Sequence, residues 1–340
     1  MASTSPPSSV HRLRVAILKV VPWLITIVAL YVAFHNVRWE LLIDHLGDGD
    51  PLLIFAALLL TCCSYLMRAR RWQFLFPEKI MNFVPAVKVL LLGFFMNNVL
   101  PARAGEFVRA HIGSKVTGAT RTLVLATVAS ERLADALMLS AMFVLFALGQ
   151  GNHDLSQKLL YAALFFAVIA IAVIVTLLLR NQIFGLIGRL NTKIDNRASN
   201  YTFERVQIFI NGLAPLFSPH KLPALVLWSI AIWLVELFAY ILITRAFDTH
   251  LPLSLCVLFL VAVNFSSLIP AAPGGIGVIE ACASTVLFSV GVPYERALTM
   301  VITQHVIQYL VVGIPGAFIM ATWKKQIKAL KEKESQDERE

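Results

Sequence analysis

Apolar residues in this chain gather into long runs and do not alternate at every second position. Runs over 15–34, 51–67, 119–148, 158–179, 222–246 and 296–321 approach or exceed the ~20 residues a helix needs to cross a hydrocarbon core. The ten-residue alternation of membrane barrel strands does not occur in the sequence. Two further apolar stretches, 84–115 and 252–290, are interrupted in the same way. The first contains F-F-M-N-N-V-L-P-A-R-A-G-E, from Phe94 to Glu106. The second contains V-N-F-S-S-L-I-P-A-A-P-G-G-I-G-V-I-E, from Val263 to Glu280. Each passes a small polar pair (Asn97-Asn98; Ser266-Ser267), breaks at a proline (Pro101; Pro270), and reaches glycine and a glutamate.

A broken helix frees backbone N–H and C=O groups that lipid cannot satisfy, so backbone of this kind survives at membrane depth only inside protein or along a polar cavity. The pattern predicts an all-α polytopic membrane protein with about six full transmembrane helices plus two re-entrant helical hairpins. Lysine and arginine in the short loops set the orientation. The N-terminal segment, the turn holding Arg68, Arg70, Arg71 and Lys79, the stretch 180–221 and the end holding Lys324, Lys325 and Lys328 read as cytoplasmic. The loop 35–50, with Glu40, Asp44, Asp48 and Asp50, reads as outside. The two hairpins then enter from opposite faces, and units 51–148 and 222–321 form an inverted repeat. Such repeats place transporter sites at their interface. Glu106 matches Glu280, and Glu131, Arg132 and Asp135 align with Gln304, His305 and Gln308.

The rest divides simply. Residues 1–14 form a cytoplasmic N-terminal segment, and 15–325 a single transmembrane domain. The basic linker 180–221 carries an amphipathic surface helix over 201–213. Residues 326–340 form a charged cytoplasmic tail, expected to be disordered from Lys331 onward. The run after Arg12, Arg14 and Lys19 is too long for a signal peptide and no cleavage site follows it, so it reads as an uncleaved first span.

Composition agrees with a membrane protein. Of 340 residues, 58% are hydrophobic and 14% charged, against about 25% charged in ordinary soluble domains. The net charge of +9 reads as cytoplasmic loops against anionic headgroups rather than nucleic-acid binding. Four cysteines in apolar runs read as small buried hydrophobes. No His/Cys cluster suggests a metal, and no cofactor motif is present.

The chemistry gathers at the breaks. Gly105 and the run Gly274-Gly275-Ile276-Gly277 precede the second arm of each hairpin. Helix N-termini there would offer N–H groups to an anion such as phosphate. The alternative is that the glycines serve only tight turning and close packing. Arg103, in the first break, suits a headgroup phosphate through its planar fork, or snorkels at the interface; Arg109 lies nearer the cytoplasmic edge. Glu131, Arg132 and Asp135 each cost ~2.5–3.5 kcal/mol at a helix centre on insertion scales. They read either as a polar substrate wall or as an ion-pair network locking hairpin to helix. Glu106 and Glu280 read as sites for a coupling proton or cation, or for a basic headgroup, or as anchors for the broken turns. His305 reads as a further substrate-binding candidate, with Gln304 and Gln308 beside it, or all three as interhelical hydrogen-bonding groups, and Glu236 reads as an intramembrane acid with no obvious partner.

At these residues the chain resembles a known family. N-N-V-L-P-A-R-A-G-E-F-x-R, S-E-R-x-x-D and P-A-A-P-G-G-I-G-x-x-E are similar to the transmembrane region of lysylphosphatidylglycerol synthases (multiple peptide resistance factors), which also occurs as stand-alone flippase-like proteins. The likeness covers about residues 15–325. It implies lipid translocation between leaflets through two opposed re-entrant hairpins. Its motifs point to Arg103, Glu106, Arg109, Glu131, Arg132, Asp135, Pro273, Gly274, Gly275, Gly277 and Glu280. The bifunctional enzymes carry a soluble aminoacyl-transferase domain after this region. None follows here, so synthesis of lysyl-lipid is not expected.

The expected function is therefore translocation of a phosphate-bearing headgroup, on a phospholipid or a polyprenyl-phosphate-linked lipid, in the inner membrane. A separately encoded lipid-modifying enzyme and a second copy of the chain are compatible partners. One rival is a membrane-embedded transferase or hydrolase using Arg103, Glu131 and His305. The other is a non-catalytic subunit of a lipid-modifying complex.

Overall fold

A computed structural model of the chain describes residues 9–76, 80–100, 104–148, 197–213, 218–269 and 271–337, with isolated positions between 168 and 189. Among these residues the regular structure is entirely helical. The first half holds α1 (Ser9–Phe34), α2 (Trp39–Gly47), α3 (Pro51–Phe74), α4 (Phe83–Val99), α5 (Gly105–Thr117) and α6 (Arg121–Leu148). The second holds α7 (Arg197–Gly212), α8 (Leu222–Ala246), α9 (Leu253–Ser266), a 3-10 turn (Pro273–Gly275), α10 (Val278–Ser289) and α11 (Tyr294–Asp337). This is a polytopic membrane protein. α3, α8 and the Tyr294–Thr322 part of α11 are long and apolar enough to cross a bilayer unaided. Their outward faces carry Leu52, Phe55, Leu227, Phe238, Ile314 and Phe318, all exposed, as a lipid-facing surface requires.

α3 and α8 form the centre, packed antiparallel along their whole length. The Asp50 N–H donates to Ala246 O at 2.8 Å. Ser64 faces Glu236. Arg71 Nη1 donates to Ser229 Oγ at 2.9 Å, and Lys221 Nζ to Phe76 O at 2.7 Å. Each helix opens on a proline (Pro51; Pro223), where the missing N–H costs nothing. Ser64 and Glu236 lie equally far past those prolines, so their contact sits where the two helices cross by symmetry. A two-fold axis relating two antiparallel spans lies in the membrane plane, and the repeat is therefore inverted.

Several of the other contacts come in matched pairs. α4 packs on α11, and its counterpart α9 packs on α6. α5 packs on α6 as α10 packs on α11. α2 packs on α11 as α7 packs on α6. The sequence read α2 as part of a loop. It forms because Trp39, Leu42, Ile43 and Leu46 recur at helical spacing, and Leu42 is buried beside Val37 and Leu298.

Both interrupted stretches are helical hairpins, broken where the sequence placed them. Leu100, directly before Pro101, is extended at φ −101°, ψ 141°; Ala272, directly before Pro273, is extended at ψ 164°. The proline ring disfavours the helical region for its predecessor in both places. Pro101 and Pro270 themselves lie outside the described residues. The predicted spans 15–34, 51–67, 119–148, 222–246 and 296–321 correspond to α1, α3, α6, α8 and α11; the predicted 158–179 span lies outside the described residues apart from isolated positions.

Two expectations change. α11 continues to Asp337, although the tail was expected to be disordered. Lys, Glu, Ala, Leu and Gln dominate there, with no Gly or Pro, so local propensity extends the helix past the membrane segment. The predicted surface helix over 201–213 is α7, and it rests on α6: a Cβ on Gly212 would lie 2.5 Å from that of Ala126.

Candidate functional site

The two hairpin tips meet at one cavity of about 360 Å³. The first contributes Asn97, Asn98, Leu100 and Glu106; the second contributes Ser267, Leu268, Ala271, Gly274 and Gly275. α3 supplies Tyr65 and Arg68, α6 supplies Arg132, and α11 supplies His305, Gln308 and Tyr309.

Close approach forms the first tip. A Cβ on Gly105 would overlap Gly93 O and lie 2.6 Å from Asn97 Oδ1, so α5 can fold back on α4 only through glycine. This favours the close-packing role for Gly105. The second tip needs glycine for its backbone. Gly274, Gly275 and Gly277 have φ of 75°, 74° and 83°, a region side-chain-bearing residues avoid. The tip also presses on α11, where a Cβ on Gly274 would overlap Tyr309 Oη. The N-terminus of α10 is not left free for an anion alone. The Gly277 N–H donates to Glu280 Oε2 at 2.6 Å, and the Ala272 N–H donates to Thr26 Oγ1 of α1 at 2.9 Å.

A charged network stands behind the cavity in layers. At the wall, Arg132 Nε lies 3.0 Å from Glu106 Oε1, and both side chains are about a quarter exposed. Deeper, Arg132 reaches Glu131 at 3.7 Å and Asp135 at 3.8 Å, so a cation lies between two acids that would otherwise repel. Glu131 is fully buried and holds Arg109 by a forked pair at 2.6 and 3.2 Å. Arg109 stacks 3.9 Å over the Trp72 ring, an arrangement that suits a planar guanidinium better than an ammonium. Asp135 binds Arg71 at 2.8 Å and Arg68 at 3.3 Å. Arg68 reaches Glu236 at 3.4 Å, and the Ser64 hydroxyl donates to the same carboxylate.

Glu236, read from the sequence as lacking an obvious partner, therefore has two. Arg68, Arg71, Arg109 and Arg132 face Glu106, Glu131, Asp135 and Glu236, four cations against four anions. Buried charge is tolerable only when balanced and hydrogen-bonded in this way.

The second half holds a smaller counterpart. His305 Nδ1 lies 2.6 Å from Glu280 Oε1, and Nε2 lies 3.1 Å from Gly274 O. The aligned pairs Glu106–Arg132 and Glu280–His305 thus make the same contact, from the first turn of a hairpin's second arm to the following helix. Gln304 is buried and Gln308 lines the cavity.

Of the sequence candidates, Glu106, Arg132, Gly274, Gly275 and His305 line the cavity. Pro273, Gly277 and Glu280 build the second tip behind it. Arg109, Glu131 and Asp135 belong to the buried network. Arg103 lies outside the described residues. Sequence reasoning missed Arg68 and Arg71, taking them for cytoplasmic charges ending the span at residue 67. They are buried in α3, whereas Arg70 is exposed. The signal was the spacing of Ser64, Arg68 and Arg71, which places all three on one helical face.

Comparison with known proteins decides the relationship. The model of the lysylphosphatidylglycerol synthase TM region matches residues 14–316. The chain belongs to this family. Within it, a UPF0104 membrane protein of Methanocaldococcus jannaschii is 26% identical over 234 residues, 68% of this chain and 96% of the relative. A UPF0104 membrane protein of Methanothermobacter thermautotrophicus is 24% identical over 298 residues, 82% of this chain and 86% of the relative. Glycosyltransferase AglD of Haloferax volcanii is 24% identical over 333 residues, covering 86% of this chain but 52% of that protein.

Proposed function

We propose that this protein is a lipid translocator, moving a phosphate-bearing headgroup between leaflets while the tails remain in lipid. One observation carries the reading: two helix breaks, one in each half of an inverted repeat, converge on a single charged cavity. Its volume is at the small end of ligand pockets, ~300–1,000 Å³, which suits a headgroup and excludes acyl chains. Arg132 and Arg68 at the wall suit a phosphate, and Glu106 suits an amine on the same headgroup or releases Arg132 to the phosphate. Among the described residues the Asn97 side-chain oxygen is buried in the wall without a hydrogen-bond partner. The protein sits in the inner membrane with both termini cytoplasmic.

The relative named as a glycosyltransferase assigns no activity to this chain, since the match covers 52% of that protein. An enzyme built on Arg103, Glu131 and His305 finds little support, because Glu131 is sealed behind Arg132 and Arg109 and does not reach the cavity.

Leaflet-resolved transport of a fluorescent phospholipid in proteoliposomes tests the reading. Wild-type protein is expected to move the lipid chemically unchanged, and Arg132→Ala protein recovered as a folded species on size exclusion to have lost most of that movement. A chemically altered lipid by mass spectrometry would establish the enzyme reading instead.

A further inference from the structure

Gly274 O can only accept a hydrogen bond, so His305 Nε2 must carry a proton to bind it. The other ring nitrogen faces a carboxylate oxygen at 2.6 Å. A contact that short requires a second proton between Nδ1 and Oε1, whether it sits on the ring or on the acid. The dyad is thus neutral as a unit and holds one proton more than a bare carboxylate beside a neutral imidazole. Its partner in the first half, Glu106–Arg132, has the same place in the repeat, but arginine keeps its proton throughout the accessible pH range. Histidine does not.

We infer that Glu280–His305 is a proton-binding site that couples lipid movement to a proton gradient. The inference rests on the transport reading for its consequence and on the dyad geometry alone for its existence. The proton shared by Nδ1 and Oε1 leaves to water in the cavity, which His305 lines. The dyad then carries one negative charge, as a Glu280 carboxylate beside neutral His305. If Nε2 keeps its proton, a bare Nδ1 faces the carboxylate at 2.6 Å. If the proton moves to Nδ1, Gly274 O loses its donor. Either outcome removes one of the two bonds that tie His305 of α11 to the second tip.

The ionisable groups facing the dyad across the cavity are Tyr65 and Arg68 of α3, Glu106 of α5, Arg132 of α6 and Tyr309 of α11 itself. From α1, Thr26 and Leu30 reach the tip, and neither ionises. The four arginines of the network are already balanced by four acids, so a net charge on Glu280 is uncompensated and disfavours an anionic headgroup. Proton and phosphate therefore bind together, and by linkage each strengthens the other.

Two measurements test this. In proteoliposomes with a pH gradient, wild-type protein is expected to accumulate labelled anionic phospholipid in the leaflet facing the alkaline side. The limit is about tenfold per pH unit for one proton per lipid. His305→Arg, which rebuilds the fixed pair of the first half, is expected to lose that accumulation whatever its rate. Wild-type transport that ignores the gradient would overturn the coupling and leave the transporter standing. No lipid movement under any gradient would overturn the transporter. The proton site is then decided by ¹⁵N-histidine NMR in lipid nanodiscs, with the His305 signals assigned by their loss in His305→Gln. A His305 ring-nitrogen shift that changes with pH across the range in which the protein stays folded, and that Glu280→Gln displaces, supports the site. Ring nitrogens unchanged across that range would overturn it.

Discussion

The two hairpins share a fold and differ in what locks them. The first is held by permanent charge: Glu106 on Arg132, Arg132 on Glu131 and Asp135, and those acids on Arg109, Arg71 and Arg68. The second is held by backbone and by one short polar contact: three left-handed glycines, one histidine and one glutamate. In the first, glycine is needed where two helices touch at Gly105; in the second, it is needed for the turn itself. The inverted repeat fixes where each tip lies. The side chains decide which tip can let go.

Damage to the first lock should have the largest effect on stability. Arg109→Ala leaves Glu131 fully buried and short of its forked partner, a defect of ~3–5 kcal/mol. A fall in apparent Tm in detergent, or loss of folded protein on size exclusion, reads it out. Replacing both residues with apolar side chains of similar volume, Arg109→Met with Glu131→Met, should recover most of the loss. A double variant as unstable as the single would mean that these charges do more than balance each other.

A defect in the second tip should come next. Gly274→Ala places a side chain at φ 75° against the Tyr309 hydroxyl; the backbone part alone costs ~1–2 kcal/mol. Transport should fall more than stability, because the tip forms the cavity wall. Tyr309→Leu in the same chain should relieve the contact and restore part of the activity. If Gly274→Ala transports normally, this turn does not have to keep its shape.

Much of this was legible in the sequence. The hairpins, their breaks and the alignment of Glu106–Arg132 with Glu280–His305 follow from proline, glycine and a repeat visible by eye, because backbone that breaks inside lipid needs residues of few types. The α2 corner was obscured by its acids, which mark a loop by charge although Leu42 and its neighbours mark a helix by period. The arginines of α3 were obscured for the opposite reason. A charge at the end of an apolar run looks the same whether it meets water or a buried carboxylate. Only the antiparallel packing of α8, which brings Glu236 and Ser229 to that face, separates the two cases.

That distinction supports the smallest prediction. Arg68, Arg70 and Arg71 share one turn or so of one helix, and loop counting treats them alike. Arg70 points outward, near Gln73 and the Phe74 ring. Its loss should change stability by no more than ~0.5 kcal/mol, the range for surface positions. Arg68 and Arg71 are caged by Asp135, Glu236 and Ser229, and their loss leaves acids inside the membrane domain without full compensation. Thermal unfolding of Arg70→Ala beside wild type should therefore give curves that nearly overlay. If Arg70→Ala unfolds as early as Arg109→Ala, the outward side of α3 also belongs to the locked half, and the boundary between network and surface lies further out than the burial of these side chains places it.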